Sequence, residues 1–393
     1  MKISMSAPDL GEAEINAVTE VLKSSHLSLG PRLEEFERAA AQRAGVRHGI
    51  GVNSGTSGLH LAVIAAGLGE NDLAITTPFS FVASSNCLLY ERAIPIFVDV
   101  DRRTGNIDPV QVALAAEDLT RGGARGRRWL PPAFRSRLDP QGLRLKAIIP
   151  VDVFGQPVDL DPILSAARRH ELVVIHDTCE AIGAQYKGRS VGSDADAAVF
   201  AFYPNKQMTT GEGGVLVTNR DDWAVLFRSL RNQGRDVFDS WLSHSRLGYN
   251  YRLDEMSAAL GLVQIKRLDQ LLEKRSRVAG WYTERLSPFE GIDVPCVEPS
   301  TTLMSWFTYV IRVSPPVGRN RLMDSLLTCD IPSRPYFSPI HLQPFYREKF
   351  GYQAGDFPVA EELGEISLAL PFSSVMSEDQ VDVVCSAIRA ALG

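Results

Sequence analysis

The sequence predicts an α/β fold in which a mainly parallel, seven-stranded sheet lies between helices. Short apolar runs alternate with helical stretches from about residue 48 to residue 231, which is the order of a parallel α/β domain. Several runs are apolar at consecutive positions, as expected for strands that helices cover on both faces. After residue 250 a long helical period is followed by isolated strands and helices, which indicates a smaller α+β domain.

The first region opens with two helices, predicted at residues 11–23 and 31–41. Apolar residues at helical spacing mark the first, and Pro31 suits the first turn of the second. The seven predicted strands are His48–Val52, Leu73–Thr76, Ile94–Val100, Lys146–Val153, Leu172–His176, Ala197–Phe202 and Gly214–Thr218. The helices predicted between them are Thr56–Ala66, Ser80–Tyr90, Leu160–His170 and Asp221–Arg231.

The second region is less regular. Its predicted elements are a long helix from Leu253 to Leu286, a strand at Phe307–Val313, a helix at Arg319–Thr328, a Pro-rich loop at 331–345 and a closing helix at Glu378–Leu392. We therefore expect a large domain at 1–250 and a smaller one at 251–393.

The segment 121–144 interrupts the alternation. It is rich in Arg, contains three Pro and shows no periodicity, which predicts a surface insertion. Two interpretations stay open: a solvated loop, or a lid or clamp for an anionic substrate.

Composition excludes several classes of protein. The 393 residues are 45% hydrophobic and 22% charged, with a net charge of −6, which argues against a disordered chain and against a nucleic-acid binder. No apolar run approaches the roughly 18–20 residues that span a bilayer, and the N-terminus lacks the apolar core of a secretory signal. Five scattered cysteines argue against a disulfide scaffold or a metal site. We expect a cytoplasmic enzyme.

Three segments contain candidate chemistry, and each also has a structural interpretation. Residues 53–58, NSGTSG, lie between a strand and a helix, where backbone N–H groups form either a phosphate cup or an ordinary helix cap. Asp177 ends an apolar strand, where a carboxylate either caps a helix or pairs with a ligand cation. Lys206 lies between an apolar strand and a glycine-rich turn, and is either a solvated loop residue or a desolvated nucleophile.

Together the three segments suit pyridoxal phosphate (PLP). This cofactor needs a phosphate cup, a lysine for a Schiff base and a carboxylate that faces the pyridinium nitrogen. All three occur in order at the ends of successive predicted strands.

At this point the chain resembles the PLP-dependent nucleotide-sugar aminotransferases of fold type I, the DegT/StrS family. The resemblance covers nearly the whole chain. Its markers include NSGTSGLHLA, IIPVDVFGQPVDLDPI, HDTCEAIGAQYKGRSVG, FAFYPNKQMTTGEGG, LGYNYRLDEMSAALG and RPYFSPIHLQPFY.

The resemblance implies a role for each matching residue. Lys206 would bind PLP as a Schiff base and move protons, and Asp177 would keep the pyridinium nitrogen protonated. Thr56 and Ser57 would bind the phosphate, and Phe81 would stack on the ring.

The resemblance also implies residues that act further from the lysine. Asn250 would reach the phosphate of a partner subunit's cofactor, which makes the active site a product of homodimerisation. Tyr336 and His341 would line the sugar pocket, although packing in a Pro-rich turn explains them equally well.

Two positions depart from the family's usual residues. Ala201 stands where a serine usually binds the phosphate, so the cup loses a hydroxyl. Glu180 stands where Gln or His is common, near the cofactor's phenolic oxygen, and we expect it within hydrogen-bond reach of that oxygen. Some relatives that act on 4-keto sugars share this Glu, which favours amination at C4.

The predicted function is transfer of an amino group from L-glutamate to a keto-sugar nucleotide in amino-sugar biosynthesis, for a polysaccharide or an antibiotic. The alternatives are a cyclitol (keto-inositol) aminotransferase and a PLP- or sugar-sensing regulator without turnover.

Overall fold

The computed structural model describes residues 2–135, 142–236, 243–315 and 317–392, and a seven-stranded sheet is its largest sheet. The strands are β1 His48–Val52, β2 Asp72–Thr76, β3 Ile94–Phe97, β4 Arg144–Ile149, β5 Val173–Asp177, β6 Gln185–Tyr186, β7 Arg189–Ser190, β8 Ala197–Ala201, β9 Gly214–Thr218, β10 Ile292–Asp293, β11 Thr301–Leu303, β12 Tyr309–Val313, β13 Arg334–Pro335 and β14 Ser367–Leu370.

Helices connect these strands and cover the sheets. They are α1 Glu12–Leu22, α2 Pro31–Ala44, α3 Gly55–Ala65, α4 Ala83–Tyr90, α5 Pro109–Arg121, α6 Gly123–Arg127, α7 Pro132–Arg135, α8 Leu160–Arg169, α9 Asp221–Arg231, α10 Glu255–Lys266, α11 Leu268–Leu286, α12 Arg319–Thr328, α13 Pro344–Phe350, α14 Pro358–Ile366 and α15 Glu378–Leu392.

The large sheet has the order β1-β9-β8-β5-β4-β2-β3. Its strands run parallel from β8 to β3, whereas β9 is antiparallel to both β8 and β1. The central residues Ile75, Ile149, Ile175 and Val199 are fully buried, because helices cover both faces of the sheet. The predicted fold class is thereby confirmed, and all seven predicted strands are present. The parallel arrangement brings the carboxyl ends of β5 and β8 side by side, which positions the candidate site.

Two smaller sheets complete the fold. The order β10-β12-β14-β13 forms an antiparallel sheet that packs with α11, α12 and α15, and the order β11-β6-β7 forms the other. No helix within the described ranges is long and apolar enough to cross a membrane. The described residues also hold no group of three His, Cys, Asp or Glu side chains suited to a metal ion.

The prediction of one continuous helix from Leu253 to Leu286 was wrong. The chain leaves helical geometry at Arg267, whose φ is −110° and ψ is 17°, so that α10 ends and α11 begins there. The break lets the two helices pack on different neighbours, since α10 contacts α1 and α2 whereas α11 contacts α15. Because α10 packs on the N-terminal helices, a domain boundary near residue 250 stays a prediction.

The insertion at 121–144 is more ordered than a solvated loop. Within its described part the chain forms α6 and α7, and Leu130 between them is buried. Arg128 Nη2 and Trp129 Nε1 donate to Asp118 Oδ2 at 2.7 and 3.0 Å, which attaches the insertion to α5. Residues 136–141 lie outside the described ranges.

Candidate active site

A cavity of about 440 Å³ lies beyond the carboxyl ends of β5 and β8. This is the edge where open α/β sheets bind ligands. Seven of the residues singled out in the sequence line it: Thr56, Phe81, Asp177, Glu180, Ala201, Lys206 and Tyr336.

The start of α3 forms one wall of the cavity. Ser54 caps the helix by accepting a hydrogen bond from the backbone of Ser57 at 3.1 Å, and the Ser57 hydroxyl donates to Asn53 Oδ1 at 2.6 Å. Ser57 is therefore engaged inside the cap and does not line the cavity, whereas the Thr56 side chain does. Backbone N–H groups in a helix's first turn have no intrahelical acceptors and attract an anion.

A glycine is required where α3 meets β8. A Cβ added to Gly55 would lie 2.7 Å from Ala201 Cβ and 2.8 Å from Cys179 Sγ, which is closer than real Cβ atoms approach. Ala201 thus lies against Gly55, the first residue of α3, so the absence of a hydroxyl at position 201 directly affects this wall.

Asp177 is a buried carboxylate at the end of β5, and only 4% of it is exposed. Its Oδ2 accepts a hydrogen bond from Ser84 Oγ at 2.8 Å, and its Oδ1 accepts one from the backbone of Cys179 at 3.1 Å. These two hydrogen bonds leave further acceptor sites on the carboxylate for a cation in the cavity. Burial, followed by the charge of Asp177, raises the pKa of the neighbouring Cys179 thiol.

The Lys206 amine enters the same cavity. Its Nζ lies 3.5 Å from Glu180 Oε1 and 3.8 Å from the centre of the Phe307 ring. Glu180 Oε2 in turn accepts a hydrogen bond from the backbone of Phe154 at 2.9 Å. Burial raises the pKa of Glu180, and the Lys206 charge opposes that shift only in part. The cavity therefore brings together an amine, a carboxylate with raised proton affinity and the buried Asp177.

The loop that carries Lys206 is fixed by a residue from α11. Arg275 is almost fully buried, and its Nη2 donates to the carbonyls of Asn205 and Lys206 at 3.2 and 2.6 Å. Its Nη1 donates to the carbonyls of Trp306 and Phe307 at 3.2 and 3.0 Å. One guanidinium thus holds the lysine loop against the segment that supplies the Phe307 ring. Burial lowers the pKa of Arg275 to about 10.

Sequence reasoning missed several residues of this site. Ser84 was detectable in principle, because it follows Phe81 by one helical turn. Arg275 and Phe307 gave no local signal, since one lies on a long helix and the other before a distant strand, and only tertiary packing brings them to Lys206.

The two candidates for the sugar pocket, Tyr336 and His341, lie in different surroundings. Tyr336 lines the cavity and packs beside the Phe307 and Phe154 rings, and burial raises its pKa to about 12. His341 does not line the cavity: it is fully buried, and its Nε2 lies 2.9 Å from Glu361 Oε1. The contacts of His341 favour the packing interpretation over sugar binding.

Two further sequence candidates also lie away from the cavity of their own chain. Asn250 is exposed and does not line that cavity. The described residues of the 121–144 insertion do not line it either. Arg128 and Arg135 line a separate cavity of about 610 Å³, and the lid or clamp interpretation stays a prediction.

The residues present fit PLP. The α3 terminus and Thr56 suit its phosphate, the buried Asp177 suits its protonated ring nitrogen, and the Lys206 amine suits its aldehyde. Asn205 also lines the cavity, and its buried Oδ1 has no hydrogen-bond partner among the described residues.

Comparison with known proteins agrees with this arrangement. Residues 8–389 match the model of the DegT/DnrJ/EryC1/StrS aminotransferase family. The chain is 36% identical to the GDP-perosamine synthase of Caulobacter vibrioides over 100% of this chain and 98% of that protein.

Two solved structures share the fold across the chain. The structure of S. venezuelae DesV in complex with a ketimine intermediate gives a TM-score of 0.86 at 30% identity and covers 100% of this chain and 98% of DesV. The structure of DesI in the presence of its TDP-sugar product gives 0.84 at 27% identity, with 100% and 93% covered. The extent of the family match and the cavity that suits PLP lead to one conclusion: the chain belongs to the DegT/DnrJ/EryC1/StrS aminotransferase family and is a PLP-dependent aminotransferase.

Proposed function

We propose that the protein transfers an amino group from L-glutamate to the keto group of a nucleotide-linked sugar, in the biosynthesis of an amino sugar for a polysaccharide or an antibiotic. The observation that carries the proposal is the position of the Lys206 amine, 3.5 Å from Glu180 in the cavity that also contains Asp177. A GDP-perosamine synthase and a TDP-sugar enzyme among the relatives support a sugar nucleotide as the acceptor.

The residues that line the cavity have separate roles in the proposed reaction. Bound PLP supplies the electron sink for the carbon that loses or gains the amino group. Lys206 would hold the cofactor, and its Nζ would accept and return the proton of the carbon that carries the amino group, in the glutamate and the sugar half-reactions in turn. Asp177 keeps the proton on the ring nitrogen. The Thr56 hydroxyl and the α3 terminus orient the phosphate.

Glu180 supports a narrower proposal about the acceptor. Its buried carboxylate lies beside Lys206, and its pKa is raised by burial, so it can retain or accept a proton near the reacting atoms. Together with the resemblance of this position to relatives that act on 4-keto sugars, this favours a 4-keto-6-deoxy sugar aminated at C4.

The proposal includes a homodimer with shared active sites and a cytoplasmic location. Phe81 and Tyr203 line the cavity yet are 63% and 53% exposed, and Leu247, three residues before Asn250, is 83% exposed. Two large aromatic groups left this open at the cavity, together with an exposed Leu247 close to Asn250 in sequence, suit coverage by a second copy of the chain. The location is inferred from the five scattered cysteines of the sequence.

Two half-reactions test this function. The PLP-loaded protein is mixed with L-glutamate while the cofactor absorbance is followed, and the aminated enzyme is then mixed with GDP- and dTDP-linked keto sugars and with a keto-inositol. We expect glutamate to convert the cofactor and a 4-keto-6-deoxy sugar nucleotide to be aminated fastest.

Other results would favour the alternatives. Preferential amination of the keto-inositol would replace the proposal with the cyclitol alternative. A cofactor band that glutamate leaves unchanged would contradict donor use and favour a regulator.

A further inference from the structure

A second, smaller cavity adjoins the active-site cavity and is lined by an arginine that has had no role so far. It has a volume of about 90 Å³ and shares Asn205, Phe307 and Tyr336 with the larger cavity. Arg334 also lines it. The proposed function gives this cavity no role.

The charges of the two cavities differ. The larger cavity is lined by three carboxylates, Asp177, Glu180 and Glu212, and by one cation, Lys206. Arg334 is the one charged residue that lines the smaller cavity. A ligand with a second negative charge is therefore repelled by most of the larger cavity and attracted by the smaller one.

Strand pairing fixes the backbone of Arg334, whereas no described carboxylate neutralises its guanidinium. β13 pairs with β14, with Arg334 opposite Ala369, which fixes the backbone. Its Nη1 donates to the carbonyl of Ser333 at 3.1 Å, and no carboxylate among the described residues pairs with it. The side chain is exposed, so a ligand can reach it without displacing a partner.

The remaining walls define the shape of that ligand. The Phe307 and Tyr336 rings, shared with the larger cavity, and Phe372 provide apolar surface, while Thr308 adds a hydroxyl. Arg334 lines the smaller cavity and not the larger one that contains Lys206, so an apolar spacer must separate the anionic group from the reacting amine. A guanidinium suits a carboxylate through paired hydrogen bonds.

We propose that the smaller cavity binds the side-chain carboxylate of the amino donor, and that Arg334 thereby selects L-glutamate over its neutral isostere L-glutamine. The two methylenes of glutamate lie along the apolar wall, and its γ-carboxylate pairs with Arg334. The inference rests on the proposed function, because it assumes that glutamate donates its amino group at Lys206.

Single-turnover kinetics of the PLP-loaded enzyme test the inference with Arg334→Ala, Arg334→Lys and the control Arg321→Ala. Arg321 is exposed on α12 and lines neither cavity. We expect Arg334→Ala to weaken the glutamate half-reaction about tenfold or more, which is the usual effect of losing a charge-assisted contact. The glutamine half-reaction and the sugar-nucleotide half-reaction should change less than twofold, and Arg334→Lys should restore part of the glutamate preference.

Each contrary result has a distinct meaning. Equal losses with glutamate and glutamine would overturn the side-chain assignment, and a loss confined to the sugar-nucleotide half-reaction would assign Arg334 to the diphosphate instead. Unchanged kinetics in Arg334→Ala would show that the smaller cavity does not bind the side-chain carboxylate of the amino donor. Failure of the wild-type enzyme to react with glutamate would reject the proposed donor itself, which separates that failure from a failure of the Arg334 inference.

Discussion

The contacts of Lys206 bear directly on the chemistry of the site. Its amine faces a carboxylate at 3.5 Å and an aromatic ring at 3.8 Å, and its backbone carbonyl is held by Arg275. Replacing it leaves the phosphate cup and Asp177 intact, so loss of chemistry and loss of cofactor binding can be separated.

We therefore expect Lys206→Ala to retain PLP binding while amino transfer falls by about 10²-fold or more, because the proton-transferring amine is gone. Borohydride reduction, followed by mass spectrometry, should attach PLP to the wild type and not to the variant at this position. The exposed Lys266, at the end of α10, provides the control Lys266→Ala. Amino transfer at the wild-type rate in Lys206→Ala would reject the lysine assignment.

The raised pKa of Glu180 predicts in which direction its contribution to folding stability changes with pH. Burial raises its pKa above the ordinary value of 4.5, so the folded state holds a proton that the unfolded state releases. This contribution to stability is complete below the unfolded pKa and is lost as the pH rises through the folded pKa. Since glutamine mimics the protonated form, Glu180→Gln should be more stable than wild type at neutral pH, by a margin that shrinks towards pH 4.

Urea denaturation of the cofactor-free proteins between pH 4 and pH 8 measures that margin. Comparing the two proteins at each pH cancels the titration of all other groups. A difference in free energy of unfolding that stays constant across this range would show that the ionisation of Glu180 is not coupled to folding as proposed.

At the scale of elements, the sequence predicts the strands of the large sheet and the bounds of α9, α12 and α15, but it misses short elements and a break between two helices. Short runs of apolar residues and glycine between helical stretches mark the strands of the large sheet, and β1 and β9 were found with their observed bounds. The break at Arg267 was invisible, because the apolar period continues through it. The short helices α6 and α7 were missed because five and four residues are too few to show a helical period.

Residues of the site were likewise found where a local pattern marks them and missed where only tertiary packing does. Thr56, Asp177 and Lys206 stand at ends of sheet strands or at the helix start that follows, so local patterns found them. Arg275 and Phe307 reach the cavity only through packing between distant parts of the chain, which no local pattern records.

The junction of α3 with β8 supports a prediction about a glycine. Gly55→Ala should lower the free energy of unfolding by about 1–3 kcal/mol, the usual range for overpacking, and should weaken PLP binding, because its Cβ would approach Ala201 and Cys179 below 3 Å. The matched control is Gly280→Ala in α11, where an added Cβ meets nothing within 4 Å. There, helix propensity predicts a gain of up to about 1 kcal/mol.

Thermal or urea unfolding and a PLP titration of both glycine variants provide the comparison. Equal behaviour of Gly55→Ala and Gly280→Ala would show that the wall of the cup tolerates an extra methyl group.

At the scale of the whole molecule, the cavity is assembled from both halves of the chain. The large sheet supplies the cup, Asp177 and Lys206, whereas α11 and the segments around Phe307 and Tyr336 supply the buried guanidinium and the aromatic wall. A substitution that displaces α11 or the segments around Phe307 and Tyr336 should therefore alter the reaction at the cofactor while the large sheet keeps its structure.

A second copy of the chain is the last component of the proposed site. Asn250 is exposed, lies outside its own chain's cavity, and has a backbone fixed by a bridge to Asn232. If it completes the cofactor site of a partner, Lys206→Ala and Asn250→Ala subunits should complement each other. Each mixed dimer would then contain one site with both residues intact, and random exchange makes half of the dimers mixed, so about a quarter of wild-type activity should return.

Activity is measured before and after verified subunit exchange. Lys206 and Asp177 line one cavity of one chain, so a mixture of Lys206→Ala and Asp177→Ala subunits serves as a matched comparison. Because each cavity takes both residues from one subunit, every cavity of a mixed dimer lacks either Lys206 or Asp177, and no site should be restored. Recovery in the Asn250 mixture alone establishes a residue that crosses between subunits. Equal absence of recovery in both mixtures would mean that Asn250 acts within its own chain or has no role at the cofactor.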